Sequence, residues 1–311
     1  MIFTVTLNPC IDKFLLVEKL HINKLNRCID TRMDAAGKGI NVSIYLSALN
    51  TKSIATGFLG CLNKQIYCDT FNKYEIENDF VFIDDFTRTN TKVVDVTKNE
   101  QTDINEKGFK VDDYYKKELK NKLINLLDKN SYVVFSGSMP VNFTNEDFKE
   151  LVDLAINKGA KVVVDTEGDK LKYAIQKKVY LIKPNIYEFE AIFNEKFNDI
   201  KLVAKKAKQL CKNGVENVIV SLGSDGAIFA RKNLVYYSKC MDVKVKSISG
   251  AGDSMVAAFL HGTQNNMQFE EIAKQCMAVS QARIMMDGTL PANKDTINKL
   301  LKEIVVEKIE W

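Results

Sequence analysis

SYVVFSG (131–137), KVVVDT (161–166), VYLIKPN (179–185) and ENVIVSLG (216–223) are the stretches that decide the fold. Three of them hold three-residue runs, VVF, VVV and VIV, that are apolar without a break, as strands covered on both faces must be. Charged stretches separate them and predict helices over Asp112–Asp128, Asn145–Asn157 and about Leu202–Cys211. Strand, helix, strand in repetition means a parallel sheet with helices on both sides. Each run ends in Gly, Ser, Asp or Asn, the polar residues expected where strand C-termini form a ligand crevice. Upstream, MIFTVTL (1–7) and KSIATGFLG (52–60) read as further strands flanking a helix in GINVSIYLSALN (39–50). Two segments break the pattern, about 12–34 and 87–105. The second, TRTNTKVVDVTKNEQTDIN, alternates β-branched and polar residues as half-exposed antiparallel strands do. From Gly250 on the chain reads as helices to its end. The expectation is one doubly wound α/β domain over 1–311, with a small β-sheet lid built from those two segments.

Composition narrows the function. With 44 basic and 40 acidic residues among 311, the net charge of +4 is too weak to argue for a nucleic-acid or anionic-membrane partner. No apolar run approaches the ~20 residues that span a bilayer, and the N-terminus has no signal-peptide pattern. Seven scattered cysteines without C-x-x-C spacing, and two histidines, make disulfide or zinc frameworks improbable. A reduced, cytoplasmic enzyme is expected.

Two glycine clusters each open a helix, AAGKGIN (35–41) and SGAGDS (249–254). Neither is a Walker A loop or a dinucleotide fingerprint. Gly250 and Gly252 would let the backbone approach a ligand closely, and the free N–H groups of the next helix turn would form an anion hole. Asp253 then reads either as a first-turn helix acid, which spacing alone favours, or as a base accepting a hydroxyl proton. Asn185 and Glu188 likewise read as a capping box or as a site facing Mg²⁺, and spacing does not separate them. Ser221–Gly226 fits a hairpin with Asp-Gly turn chemistry.

Taken together, TLNPCID (6–12), AAGKGINV (35–42), TRTN (87–90), SGSMP (136–140), VVDTEG (163–168), KPNIYE (183–188), SLGSDGA (221–227) and SGAGDSMVAAF (249–259) resemble the PfkB (ribokinase-like) carbohydrate kinases. They come in that family's order and spacing over essentially the whole chain, and look most like its 1-phosphofructokinase branch. The resemblance implies a ribokinase-like three-layer α/β/α fold and transfer of the ATP γ-phosphoryl group to the C6 hydroxyl of D-fructose 1-phosphate. Asp253 would take the proton while the backbone of Ser249, Gly250, Ala251 and Gly252 steadies the migrating phosphate. Asp12, Gly37, Lys38, Gly39 and Asn41 would hold the sugar. Arg88 would meet the substrate's own phosphate, helped by Arg27 and Ser138. Lys183, Asn185, Ser221, Gly223 and Gly226 map to the nucleotide, with Glu188 towards Mg²⁺. Ser247, Ile248 and Ser280 map to the adenine and ribose pocket. Partners would be a sugar phosphate, ATP and a second copy, in a homodimer through the lid. Competing readings are a tagatose-6-phosphate or relaxed ketohexose-phosphate kinase, and a silent sugar-phosphate sensor. Glu167, where relatives often carry a small residue, adds a negative charge near the phosphates.

Overall fold

The computed structural model describes residues 1–310. Fourteen strands appear in chain order: β1 Ile2–Thr6, β2 Cys10–Val17, β3 Asp30–Ala36, β4 Ser53–Gly60, β5 Glu77–Ile83, β6 Arg88–Asp95, β7 Glu100–Asn105, β8 Tyr132–Ser136, β9 Lys161–Asp165, β10 Leu181–Ile182, β11 Asn217–Ser221, β12 Ala227–Arg231, β13 Leu234–Ser238 and β14 Glu307–Lys308. Ten helices alternate with them: α1 Lys38–Ala48, α2 Gln65–Lys73, α3 Asp113–Leu126, α4 Asn145–Asn157, α5 Asp169–Gln176, α6 Ile186–Phe193, α7 Ile200–Lys212, α8 Ala251–Gln264, α9 Phe269–Ile284 and α10 Lys294–Glu303.

Ten strands form one sheet in the order β14-β13-β12-β11-β10-β9-β8-β1-β4-β5. It is parallel from β11 to β5 and antiparallel from β11 outward to β14. Alternation in the buried strands splits the core into two layers. Val134, Val163 and Ile219 point to the side of α1, α8 and α9, whereas Val133, Val162 and Val218 point to that of α3, α4 and α7. The chain therefore has the ribokinase-like three-layer α/β/α architecture. Winding reverses beside β1: β4 and β5 extend the sheet one way, β8 to β11 the other. Ligand crevices form at such reversals, beyond the strands' carboxyl ends.

The remaining strands make a separate four-stranded sheet, β3-β2-β6-β7. Opposite residues across it share a face: Asp12 pairs with Asp34 and Asn90, Lys13 with Met33 and Thr91, and Thr91 with Ile104. One face thus carries Asp12, Asn90 and Lys92, all buried, and the other carries exposed Met33 and Ile104. One reading of the sequence needs correction. The tail is not helical throughout, since β14 closes the antiparallel edge on β13. The edge strand β5 and helix α2 carry no signal that the apolar runs could reveal.

Candidate active site

The C-terminal ends of β1, β8, β9 and β11, the start of α8, and the inner face of the small sheet enclose one cavity of about 510 Å³. That is ample for a sugar phosphate.

Asp253 sits in the first turn of α8. It does not cap its helix; instead its Oδ2 accepts a 2.8 Å hydrogen bond from Asn41 Nδ2 of α1. The first-turn position is therefore as one sequence reading has it, but the carboxyl makes no cap hydrogen bond and is turned to α1. Burial raises its carboxyl to about 6, with Lys38 pulling it down and Asp165 pushing it up. Gly250 precedes the helix at φ 80°, a left-handed conformation, with its Cα so close to Tyr45 that a Cβ would lie 2.2 Å from the phenol oxygen. Among the described residues the amides of Gly250 and Gly252 meet no acceptor, while Ala251 N–H is taken by Ile248 O and Ser249 N–H by Ser247 Oγ. The open donors are thus fewer than the Ser249–Gly252 stretch suggested. Lys183 lies against Gly252, where a Cβ would stand 2.8 Å from its Nζ.

Asp165, at the end of β9, accepts from Lys38 (3.4 Å) and Lys183 (3.3 Å). Burial pushes its carboxyl up, but the two ammonium groups overcome this and hold it below the ordinary range. The result is a carboxylate flanked by two cations beside the free amides, a setting that favours anionic oxygens between them.

At the lid end, Arg88 is held by main-chain oxygens of Asn8, Pro9 and Glu106 and reaches Ser138 Oγ at 3.4 Å. No carboxylate hydrogen-bonds it among the described residues, so its charge is left for an anion such as a phosphate, which would take the remaining Nη1 donor or displace the weaker contacts. Asp12 receives Asn90 Nδ2 at 3.4 Å and faces Lys92 Nζ at 3.9 Å; burial raises its pKa despite that lysine. Glu188 and Asn185 form the capping box of α6, each accepting the other's backbone N–H at 2.9 Å. Glu188 nonetheless lines the cavity, and burial raises its pKa.

Of the residues singled out from sequence, the cavity gathers Asp12, Gly37, Lys38, Asn41, Arg88 and Ser138, together with Lys183, Asn185, Glu188 and Ser221. Ser249, Gly250, Gly252 and Asp253 join them. It leaves out others. Arg27 is exposed in the 18–29 loop and does not line the cavity of its own chain. Gly39 is not a lining residue; a Cβ there would stand 2.5 Å from Thr6 Oγ1, so close packing on β1 explains it. Ser280 is buried within α9. Ser247, Ile248, Ala251, Gly223 and Gly226 lie outside the enclosed space, with Ile248 77% exposed. Glu167 lines the rim and is exposed, so solvent screens its charge.

A dozen lining residues escaped the sequence reading, Asp165, Asn90, Lys92 and Asn8 among them. Asp165 was detectable as the acid ending an apolar strand. Asn90 and Lys92 follow from period two once Arg88 faces inward. Asn8 bonds Lys107 O, Ser138 Oγ and Met139 O, contacts that only the fold reveals. Among the described residues, seven of the ten buried side-chain polar atoms without a hydrogen-bond partner belong to lining residues: Thr6, Asn8, Asn41, Asn90, Ser136, Asp165 and Thr166. Unpaired polar atoms are costly in a dry core, so their concentration here marks a site for a ligand rich in hydroxyls.

A buried carboxyl, bare amides and paired ammonium groups at a doubly wound crevice define a phosphotransferase with an alcohol acceptor. The chain belongs to the pfkB family of carbohydrate kinases, whose pattern matches residues 5–295. It is 36% identical to the 1-phosphofructokinase of Borreliella burgdorferi over 310 residues, 99% of each chain. It is 32% identical to the tagatose-6-phosphate kinase of Staphylococcus epidermidis, over 99% of this chain and all of that one. Phosphofructokinase-2 from Escherichia coli, solved with substrates and products, superposes with a TM-score of 0.93 at 26% identity, covering 97% of this chain and 98% of that one. These relatives support a ketohexose-phosphate kinase.

Proposed function

We propose that the protein transfers the γ-phosphoryl group of ATP to the C6 hydroxyl of D-fructose 1-phosphate, giving fructose 1,6-bisphosphate and ADP. The observation that carries the reaction is Asp253, buried beside the unpartnered amides of Gly250 and Gly252 in a cavity whose far end holds Arg88. Arg88 and Ser138 bind the phosphate the sugar already bears, Asp12 and Asn41 its hydroxyls. Asp253 accepts the C6 hydroxyl proton as that oxygen bonds to the γ-phosphorus and the bond to the ADP oxygen breaks. The two amides, Lys38 and Lys183 hold the equatorial oxygens during transfer. Nucleotide contacts fall to Asn185 and Ser221, and to Gly223, Gly226, Ser247 and Ile248 on the open side. Closure of the lid excludes water that would compete as acceptor.

Kinases of this family use ATP, usually with Mg²⁺. The residues fit that ion: one Asp165 oxygen is buried without a partner, and Glu188 faces the same space. Two carboxylates leave the remaining positions to water and phosphate oxygens, as Mg²⁺ prefers. Held there, the ion would supply positive charge to the β- and γ-phosphates.

A coupled assay of ADP release with fructose 1-phosphate, tagatose 6-phosphate and fructose 6-phosphate tests the assignment. Highest kcat/KM with fructose 1-phosphate supports it. Preference for tagatose 6-phosphate moves it to that kinase, and no turnover with any of the three defeats the enzymatic reading.

A further inference from the structure

We propose that Arg283 is a positioning residue for phosphoryl transfer, holding the loop that presents the Gly250 and Gly252 amides to the migrating phosphate. The inference rests on the kinase reading above.

Arg283, in the last turn of α9, is fully buried. Its Nε donates to the Tyr45 hydroxyl at 3.1 Å, and its Nη1 to Met286 O at 3.1 Å. Its Nη2 donates to Ser249 O and to Gly288 O. No carboxylate hydrogen-bonds it among the described residues. Asp34, whose pKa burial raises against the pull of Arg32 and, more weakly, of Arg283, is bonded to Arg32 instead. A buried guanidinium without an anion is expensive, and an apolar side chain would fill the same space at less cost. Favourable interaction with the α9 dipole accounts for the Met286 contact alone. The other three acceptors come from α1, from the loop before α8 and from the loop after α9.

The Ser249 contact explains the arrangement. Ser249 C=O and Gly250 N–H belong to one planar trans peptide unit and point in opposite directions. Fixing the carbonyl on the buried guanidinium therefore turns the Gly250 N–H away from it, and that amide is one that meets no acceptor among the described residues. Tyr45 completes the brace: it accepts from Arg283, donates to Thr289 O at 3.0 Å, and lies against the Gly250 Cα. Thr289 itself lines the cavity. Without the guanidinium the 249–250 peptide is free to rotate, and its N–H leaves the line of the transferred group.

Arg283→Ala and Arg283→Lys, assayed by ADP release and by amide hydrogen exchange over 249–254, test this. The expected result for Arg283→Ala is a kcat lower by roughly 10²-fold, as when a catalytic donor is displaced by about an ångström. KM for the sugar phosphate should change little, exchange should quicken at Ala251 and Ser254, whose amides are bonded to Ile248 O and Gly250 O in this turn, and millimolar guanidinium ion should restore part of the lost turnover. A folded Arg283→Ala enzyme with near wild-type kcat overturns the proposal, as does a loss that guanidinium leaves untouched. If the alanine variant does not fold, the lysine variant decides. One point charge should not reproduce a fork with four acceptors, so a folded Arg283→Lys enzyme with wild-type kcat is the overturning result. Absence of turnover in the wild type would defeat the kinase reading and the transfer role with it, whereas the exchange rates separately report whether Arg283 fixes the loop.

Discussion

At the scale of single residues, Asp253 is governed by two opposed demands. A proton acceptor must be ionised, and burial makes ionisation costly. With the carboxyl raised from 3.8 to about 6, turnover should rise with pH through about 6, which a pH profile of kcat measures. The sign for stability is opposite. A carboxyl that holds its proton more tightly folded than unfolded favours the fold below about 4 and loses that contribution as pH rises through about 6. Asp253→Asn should therefore raise stability at neutral and alkaline pH by ~1–3 kcal/mol, seen as a higher thermal midpoint, with the gain fading under acid. The same variant should lower kcat by roughly 10²–10⁴ and leave ATP binding nearly intact. A variant that is slower but no more stable at alkaline pH would mean the carboxyl is less desolvated than its surroundings imply. Arg88→Ala should act on the other parameter, raising KM for the sugar phosphate by roughly 10–100-fold and that for ATP far less.

At the scale of elements, the entry to α8 is built from backbone. Gly250 occupies a left-handed turn against Tyr45, with no room for a Cβ. Gly250→Ala should lose about 1–2 kcal/mol from the backbone alone, more from the displaced phenol, and most of its turnover as the amides rotate. Thermal unfolding and kcat measured on one preparation check both. Helix α6 shows that the two sequence readings of Asn185 and Glu188 are compatible. The capping box shapes the turn after Pro184, and the same turn brings Glu188 to the cavity. A cap and a site residue need not be alternatives when the helix starts at the crevice.

At the scale of the whole molecule, the small sheet has two unlike faces. One supplies Asp12, Asn90 and Lys92 to the cavity; the other exposes Met33 and Ile104, and the adjoining loop exposes Ile22, Leu25 and Ile29. Apolar residues in such density on a sheet with free edges are expected to be covered by a partner. A relative, phosphofructokinase-2 from Escherichia coli, has been solved as an inhibited tetramer. For this chain we propose pairing of two lids in a homodimer. Ile104→Lys with Met33→Glu should halve the mass seen by light scattering, and a wild-type monomer at working concentration would count against the pairing.

The sequence alone determined the doubly wound sheet, because buried parallel strands must be continuously apolar and their spacing leaves room only for crossover helices. It also marked the glycine turns and Asp253 beside them, whose chemistry is local to a few adjacent residues, while Arg88 came only with the family resemblance. Tertiary structure decided what depends on distant segments meeting. It set Asp165 between Lys38 and Lys183, gave the Asp253 carboxyl to Asn41 rather than to its own helix, and left Arg27 outside the cavity of its own chain. The physical reason is that hydrogen bonding and desolvation depend on which atoms lie within a few ångströms. For residues as far apart in the chain as Asn41 and Asp253, only the packed sheet and helices fix that.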